Sequence, residues 1–125
     1  MTNERLEFYL NRKNLFGYNT ENNSEIVGWI TLTKRFPAAG FFERFDEDFD
    51  PELYERQLKI KREPYIVHVA QVTREVFESD RYAGEEDYLL NVSYLFSTLD
   101  DVGSFLKELG YELSEIKWAA DVDFL

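Results

Sequence analysis

The chain has no cysteine, which excludes disulfides, thiolate zinc sites, iron–sulfur clusters and a cysteine nucleophile together. It has one histidine, so a zinc site would have to draw its remaining ligands from carboxylates. Uninterrupted apolar runs last only a few residues, far below the ~20 needed to cross a bilayer. The opening Met1-Thr2-Asn3-Glu4-Arg5 lacks the basic start and apolar core of a signal peptide. These absences predict a cytoplasmic protein. The six glycines, at positions 17, 28, 40, 84, 103 and 110, match neither the dinucleotide fingerprint nor the P-loop, and no G-x-S-x-G elbow is present. No repeat, low-complexity stretch or Pro/Gly/Ser-rich linker interrupts the 125 residues, so one α+β domain spanning 1–125 is expected.

What the chain does contain is aromatic and acidic. Hydrophobic residues make up 44% and aromatics 17%, which suits a packed core and not an acidic disordered tail. The 25 acidic residues outnumber the 14 basic ones, for a net charge of −11. That balance opposes direct binding to nucleic acid or to an anionic membrane, both of which are polyanions. The excess is uneven. Residues 1–40 are nearly neutral, whereas residues 75–125 hold 13 acidic and 3 basic groups.

Periodicity outlines the elements. Leu6, Phe8 and Leu10 alternate with Glu7, Tyr9 and Asn11, which predicts a strand. Gly17 to Ser24 is rich in turn formers, and Ile26 to Thr33 reads as a second strand hairpinned to the first. Gly28 within it marks a bulge or a close backbone approach. Asp50-Pro51-Glu52 has the form of a helix start, for a helix to about Arg62, although Leu58 to Lys61 also alternate. Tyr65 to Thr73 is β-branched enough for a buried strand. Arg74 to Gly84 suits a helical turn and a loop. Tyr88, Leu90, Val92, Tyr94 and Phe96 predict one apolar strand face. Thr98 follows as an N-cap, with Asp100 and Asp101 in the first turn of a helix. Val102, Phe105, Leu106 and Leu109 form that helix's apolar stripe, and Gly110 its stop. Tyr111 to Trp118 reads as a last strand, broken near Ser114. The expected fold is a two-layer α+β sandwich. It has about five mostly antiparallel strands, one or two helices on one face and a C-terminal β-α-β unit.

Candidate sites follow from the same residues. Asp46, Asp48 and Asp50 begin like a calcium loop, but the sixth position is Pro51 where glycine is needed, and the twelfth is Gln57 where a bidentate glutamate is needed. No metal or other cofactor is therefore expected. His68 lies in a strand without the serine elbow of a triad, and a hydrogen bond to a neighbour is its simplest role. The sharpest signal is Phe41, Phe42, Phe45 and Phe49 interleaved with Asp46, Glu47, Asp48 and Asp50. Aromatics supply buried contact area and acids steer a basic partner. Phenylalanines plugging the core beneath a solvated acidic loop is the plainer alternative. Glu75, Glu78, Asp80, Glu85, Glu86 and Asp87, flanking Tyr82, form a second acidic set, for which a solvated loop is again the plainer alternative. The function expected is a non-enzymatic, immunity- or inhibitor-like protein that masks a basic partner, such as a nuclease or another nucleic-acid-binding protein. Two other readings stand beside it: a small ligand-binding domain or enzyme with a pocket near His68 and Tyr65, and a protein that self-associates through its aromatic strand.

Overall fold

The computed structural model describes residues 1–43, 50–79 and 84–119. Among these, the elements run α1 (Asn3–Leu10), β1 (Phe16–Asn22), β2 (Ile26–Lys34), α2 (Pro51–Arg62), β3 (Tyr65–Thr73), α3 (Arg74–Glu78), β4 (Tyr88–Phe96), α4 (Leu99–Glu108) and β5 (Lys117–Trp118). The sheet order is β4-β3-β2-β1-β5, with every neighbouring pair antiparallel. The α+β sandwich expected from the sequence is present, and α1 and α4 form its helical layer on one face of the sheet. No helix among the described residues is long and apolar enough to cross a membrane.

The first expected strand is a helix. Leu6 and Leu10 are alternate members of the period-2 set, but they are also one helical turn apart, and both are buried. Phe8, which a strand would bury beside them, is 48% exposed and lies against the Arg12 guanidinium. Thr2 decides the issue locally: its hydroxyl accepts the Arg5 N–H at 3.2 Å, an N-cap that a strand does not need. The strand that hairpins with β2 is instead β1, in the segment expected to be a turn. Phe16–Asn22 has weak strand propensity, and pairing with β2 on one side and β5 on the other overrides it. The turn shrinks to Asn23, whose side-chain oxygen accepts the N–H groups of Glu25 and Ile26 at 2.9 and 2.8 Å.

One face of the sheet carries the core. Phe16, Tyr18, Ile30, Leu32, Tyr65 and Val67 share a buried cluster with Leu6 and Leu10 of α1 and with Leu99, Val102 and Leu106 of α4. Complete burial of each aliphatic side chain contributes about 1.5–3 kcal/mol. A polar clamp locks α1 in place. Glu7 accepts from Lys34 Nζ at 2.5 Å and, through its other oxygen, from the Tyr65 hydroxyl at 2.5 Å; Lys34 also reaches Asn11 at 2.7 Å. One carboxylate thereby joins α1 to β2 and β3.

Two bulges set the phase of the sheet. Thr20 is the extra residue where β1 passes from Asn19 opposite Trp29 to Glu21 opposite Gly28. Gly28 is required there: a Cβ on it would lie 2.7 Å from Thr20 Oγ1 and 3.0 Å from Gln71 Cγ. Leu89 is the extra residue in β4, between Tyr88 opposite Val72 and Leu90 opposite Gln71. The bulge takes Tyr88 off the apolar face expected to run from Tyr88 to Phe96. Its ring meets Trp29 edge-on on the other side of the sheet, with centroids 6.5 Å apart.

The C-terminal β-α-β order is present in an extended form. Because every pairing is antiparallel, β4 and β5 run the same way, yet they occupy opposite edges. α4 and the segment through the Leu113–Glu115 turn connect them across one face of the sheet. The expected last strand is reduced to Lys117 and Trp118, since Leu113–Glu115 forms a 3₁₀ turn at the period break. Thr98, Asp100, Asp101 and Gly110, the last at φ +93°, cap and stop α4 as the sequence predicts.

Two stability predictions follow from these contacts. Gly28→Ala is expected to cost about 1–3 kcal/mol through the forced approach to Thr20. Adding Thr20→Ala should recover part of that loss, because the buried Thr20 hydroxyl has no hydrogen-bond partner among the described residues. Urea denaturation of the two single variants and the double variant measures the coupling, and strict additivity would refute the contact. The second prediction concerns alkaline pH. Tyr65 is held above the usual tyrosine range by burial, then by its hydrogen bond to Glu7 and by the Glu7 charge. Tyr18 moves the same way, through burial and then Glu115 and Glu112. A raised tyrosine keeps its proton in the folded chain when the unfolded chain has lost it. Stability is thus full below about pH 10 and falls as pH rises further. Tyr65→Phe is expected to cost ~1.5–3 kcal/mol at neutral pH and to flatten the alkaline fall, as read by denaturation at neutral pH and near pH 11.

Candidate binding surface

The Phe/acid segment divides between helix support and residues outside the described set. Asp50 is the N-cap of α2: its Oδ1 accepts the N–H groups of Glu52 and Leu53 at 3.0 and 3.3 Å. Pro51 follows at the first helical position, and Lys59, Lys61 and Arg62 complement the dipole at the other end. Phe41 and Phe42 pack edge to face, with centroids 5.1 Å apart, and both rings lie near Tyr54 of α2 at 6.2 and 5.9 Å. Lys61 Nζ sits 4.8 Å from the Phe42 ring centre. These two phenylalanines hold α2, which buries no residue fully, to the loop before it. Gln57 adds a hydrogen bond from the Ala38 N–H at 2.7 Å. Phe45, Asp46, Glu47, Asp48 and Phe49 lie outside the described residues.

The second acidic set precedes β4. Residues 85–87 make one 3₁₀ turn, closed when Asp87 accepts the Gly84 N–H at 2.8 Å and returns its own N–H to the Gly84 carbonyl at 3.0 Å. Asp87 is thus committed to the turn. Glu85 and Glu86 are exposed.

β4, which the sequence offered as an aromatic strand face for self-association, lies at the edge of the sheet. Its outer side pairs with no strand among the described residues. Its sequence, YLLNVSYLF, contains no charge, no proline and no glycine. Edge strands are ordinarily blunted by lysine, proline, inward charges or bulges. Here the one such device is the bulge at Leu89, which leaves a regular ladder against β3 from Leu90 to Phe96. Leu89 is 56% exposed, Tyr94 39% and Leu90 36%, while Asn91 and Ser93 are exposed on the opposite face. Phe105 of α4 covers only the C-terminal half, 4.6 Å from the Tyr94 ring and 5.2 Å from Phe96. The first turn of α4 places the exposed Asp100 and Asp101 just beyond that half. The uncharged edge therefore has carboxylates at both ends. An uncharged strand beside an acidic turn was visible in the sequence, but its place at the edge was not.

The remaining candidates separate. His68 Nε2 is 2.5 Å from Asn91 Oδ1 across the β3–β4 ladder, the neighbour-paired role expected of it. Tyr65, three residues away on the same strand, faces α1 on the other side of the sheet. The sheet lies between them, so they do not line one pocket. A shallow groove of about 470 Å³ runs between the start of α1, α4 and residues 112–114, and its charged groups Asp100, Lys107 and Glu112 are all exposed.

No protein-family model, curated protein or solved structure matches this chain.

The two roles of Asp50, charge and cap, can be parted. Asp50→Ala is expected to destabilise by about 1 kcal/mol, whereas Asp50→Asn keeps the cap and should be nearly neutral. Thermal unfolding of both variants distinguishes a capping role from a purely electrostatic one. Equal effects would remove the cap from the account.

Proposed function

We propose that this chain is a non-enzymatic acidic binding protein that masks the basic surface of a partner protein, a nuclease or another nucleic-acid-binding protein. The observation that carries this reading is the exposed, uncharged strand β4, bounded by Glu85 and Glu86 at one end and by Asp100 and Asp101 at the other. The two parts do different work. Apolar and aromatic area removed from water supplies affinity, and carboxylates at its rim accelerate encounter and reject acidic competitors. A basic surface built to hold phosphates presents arginine and lysine side chains that carboxylates pair with equally well. Most of the chain's negative charge falls in residues 75–125, the part of the sequence that includes β4 and α4.

The test is kinetic. Against structured nucleic-acid-binding proteins of pI above about 9, a binder of this kind associates quickly at low salt. Between about 0.01 and 1 M salt its association rate should fall ~10-fold or more, as the screening length shrinks from ~30 to ~3 Å. Glu85→Gln with Glu86→Gln should slow association and leave the thermal unfolding midpoint in place. If no basic protein binds, or the rate is the same at both salt concentrations, the reading fails.

A further inference from the structure

We infer that the outer edge of β4, from Leu90 to Phe96, accepts an extended segment of the partner as a sixth strand, and that this segment is apolar with Lys or Arg at both of its ends. The inference rests on the reading above that the partner is basic, and it adds the mode of contact.

An edge strand carries a row of N–H and C=O groups that demand partners, and a strand from another chain satisfies them in one step. The ladder from Leu90 to Phe96 is regular, so an added strand finds no bulge in its register until Leu89. Side chains of the incoming strand alternate. Those on the helical side extend the apolar surface of Leu90, Val92 and Tyr94. Those on the other side join Asn91 and Ser93, where small polar groups suffice.

Charge selects the occupant. A second copy of this chain could also pair edge to edge about a two-fold axis at Ser93. That register brings the acidic turn at Glu85 and Glu86 of one copy toward Asp100 and Asp101 at the start of α4 in the other, at both ends of the joint. Moving the axis to Val92 shifts the match by two residues and still brings the acidic turn toward the acidic start of α4. Each copy also carries a net −11. Self-pairing thus places like charges at both ends of an otherwise apolar contact, and a segment with a basic residue at each end turns the same groups into attractions.

The experiment uses the intact chain and two synthetic peptides that share an alternating Val/Thr core of about seven residues, an ordinary strand length. One is flanked by Lys and the other by Glu. The Lys-flanked peptide should bind, and the Glu-flanked one should bind at least about tenfold more weakly. Amide hydrogen exchange reports the place. The β4 amides that point away from β3 should gain protection, while those already paired with β3 stay as they are. Leu90→Lys, an exposed substitution that adds a like charge to the contact, should weaken the Lys-flanked peptide by about tenfold with the unfolding midpoint retained. Asn91→Lys, on the opposite face, provides a second variant should Leu90→Lys fail to fold.

Protection gained away from β4 would overturn the strand-addition mode and leave the basic-partner reading intact. Failure of the Lys-flanked peptide while basic proteins still bind with a salt-dependent rate has the same meaning. Absence of binding by both peptide and basic proteins overturns both. Protection of β4 that rises with protein concentration alone, with a doubled mass by light scattering, would make a second copy the occupant and refute the inference.

Discussion

Leu6 and Leu10 near the beginning of the chain, and Val102 and Leu106 near its end, close one face of the sheet over Phe16, Ile30, Leu32 and Val67. Every one of these side chains is almost wholly removed from water. The rest of the architecture depends on that layer. The sheet needs a cover because Phe16, Tyr18, Ile30, Leu32, Tyr65 and Val67 face the same way, and neither helix covers them all. The Glu7 clamp to Lys34 and Tyr65 adds orientation to this nondirectional attraction, fixing α1 to β2 and β3 through one carboxylate. Truncating Leu6, Leu10 or Leu106 to alanine would leave a cavity beneath the sheet, with the ~2–5 kcal/mol penalty such holes carry.

The covered face and the uncovered edge are two sides of one constraint. α4 lies in the connection from β4 to β5, at opposite margins of the sheet, and buries Leu99, Val102 and Leu106 in the shared core. Phe105 packs on Tyr94 and Phe96 in the second half of β4, while Leu89 and Leu90 in the first half stay exposed. The surrounding carboxylates then determine which surfaces approach that edge favourably.

Much of this was legible in the sequence, and the failures have identifiable causes. Helix α4 was readable from Thr98 to Gly110 because its cap, first-turn acids, stripe and glycine stop all agree. The start of α2 at Asp50-Pro51 was readable for the same reason. Leu6 and Leu10 misled because their spacing fits two periods at once, and only Thr2 and the exposure of Phe8 separate them. Phe16–Asn22 misled because its strand character comes from its neighbours and not from its own residues. Tyr88 fell on the wrong face because a bulge is a one-residue phase shift that alternation cannot register. Of the candidate site, the sequence marked Phe41, Phe42 and Asp50 as a recognition segment, yet their described contacts are to α2. The strand it marked only as a face proves to be an edge, a property of order across the sheet that no local pattern encodes.

The pairing of α1 with α4 in one layer has a consequence for how the molecule comes into being. During synthesis, α1, β1, β2 and β3 emerge while α4 is still to be made, so the apolar side of the young sheet is covered at one end and bare at the other. Contacts between residues about a hundred positions apart must form before that side closes, and such distant contacts are slow to find because of the loop entropy they cost. The apolar face that α1 and α4 share is complete only once Val102 and Leu106 have been made.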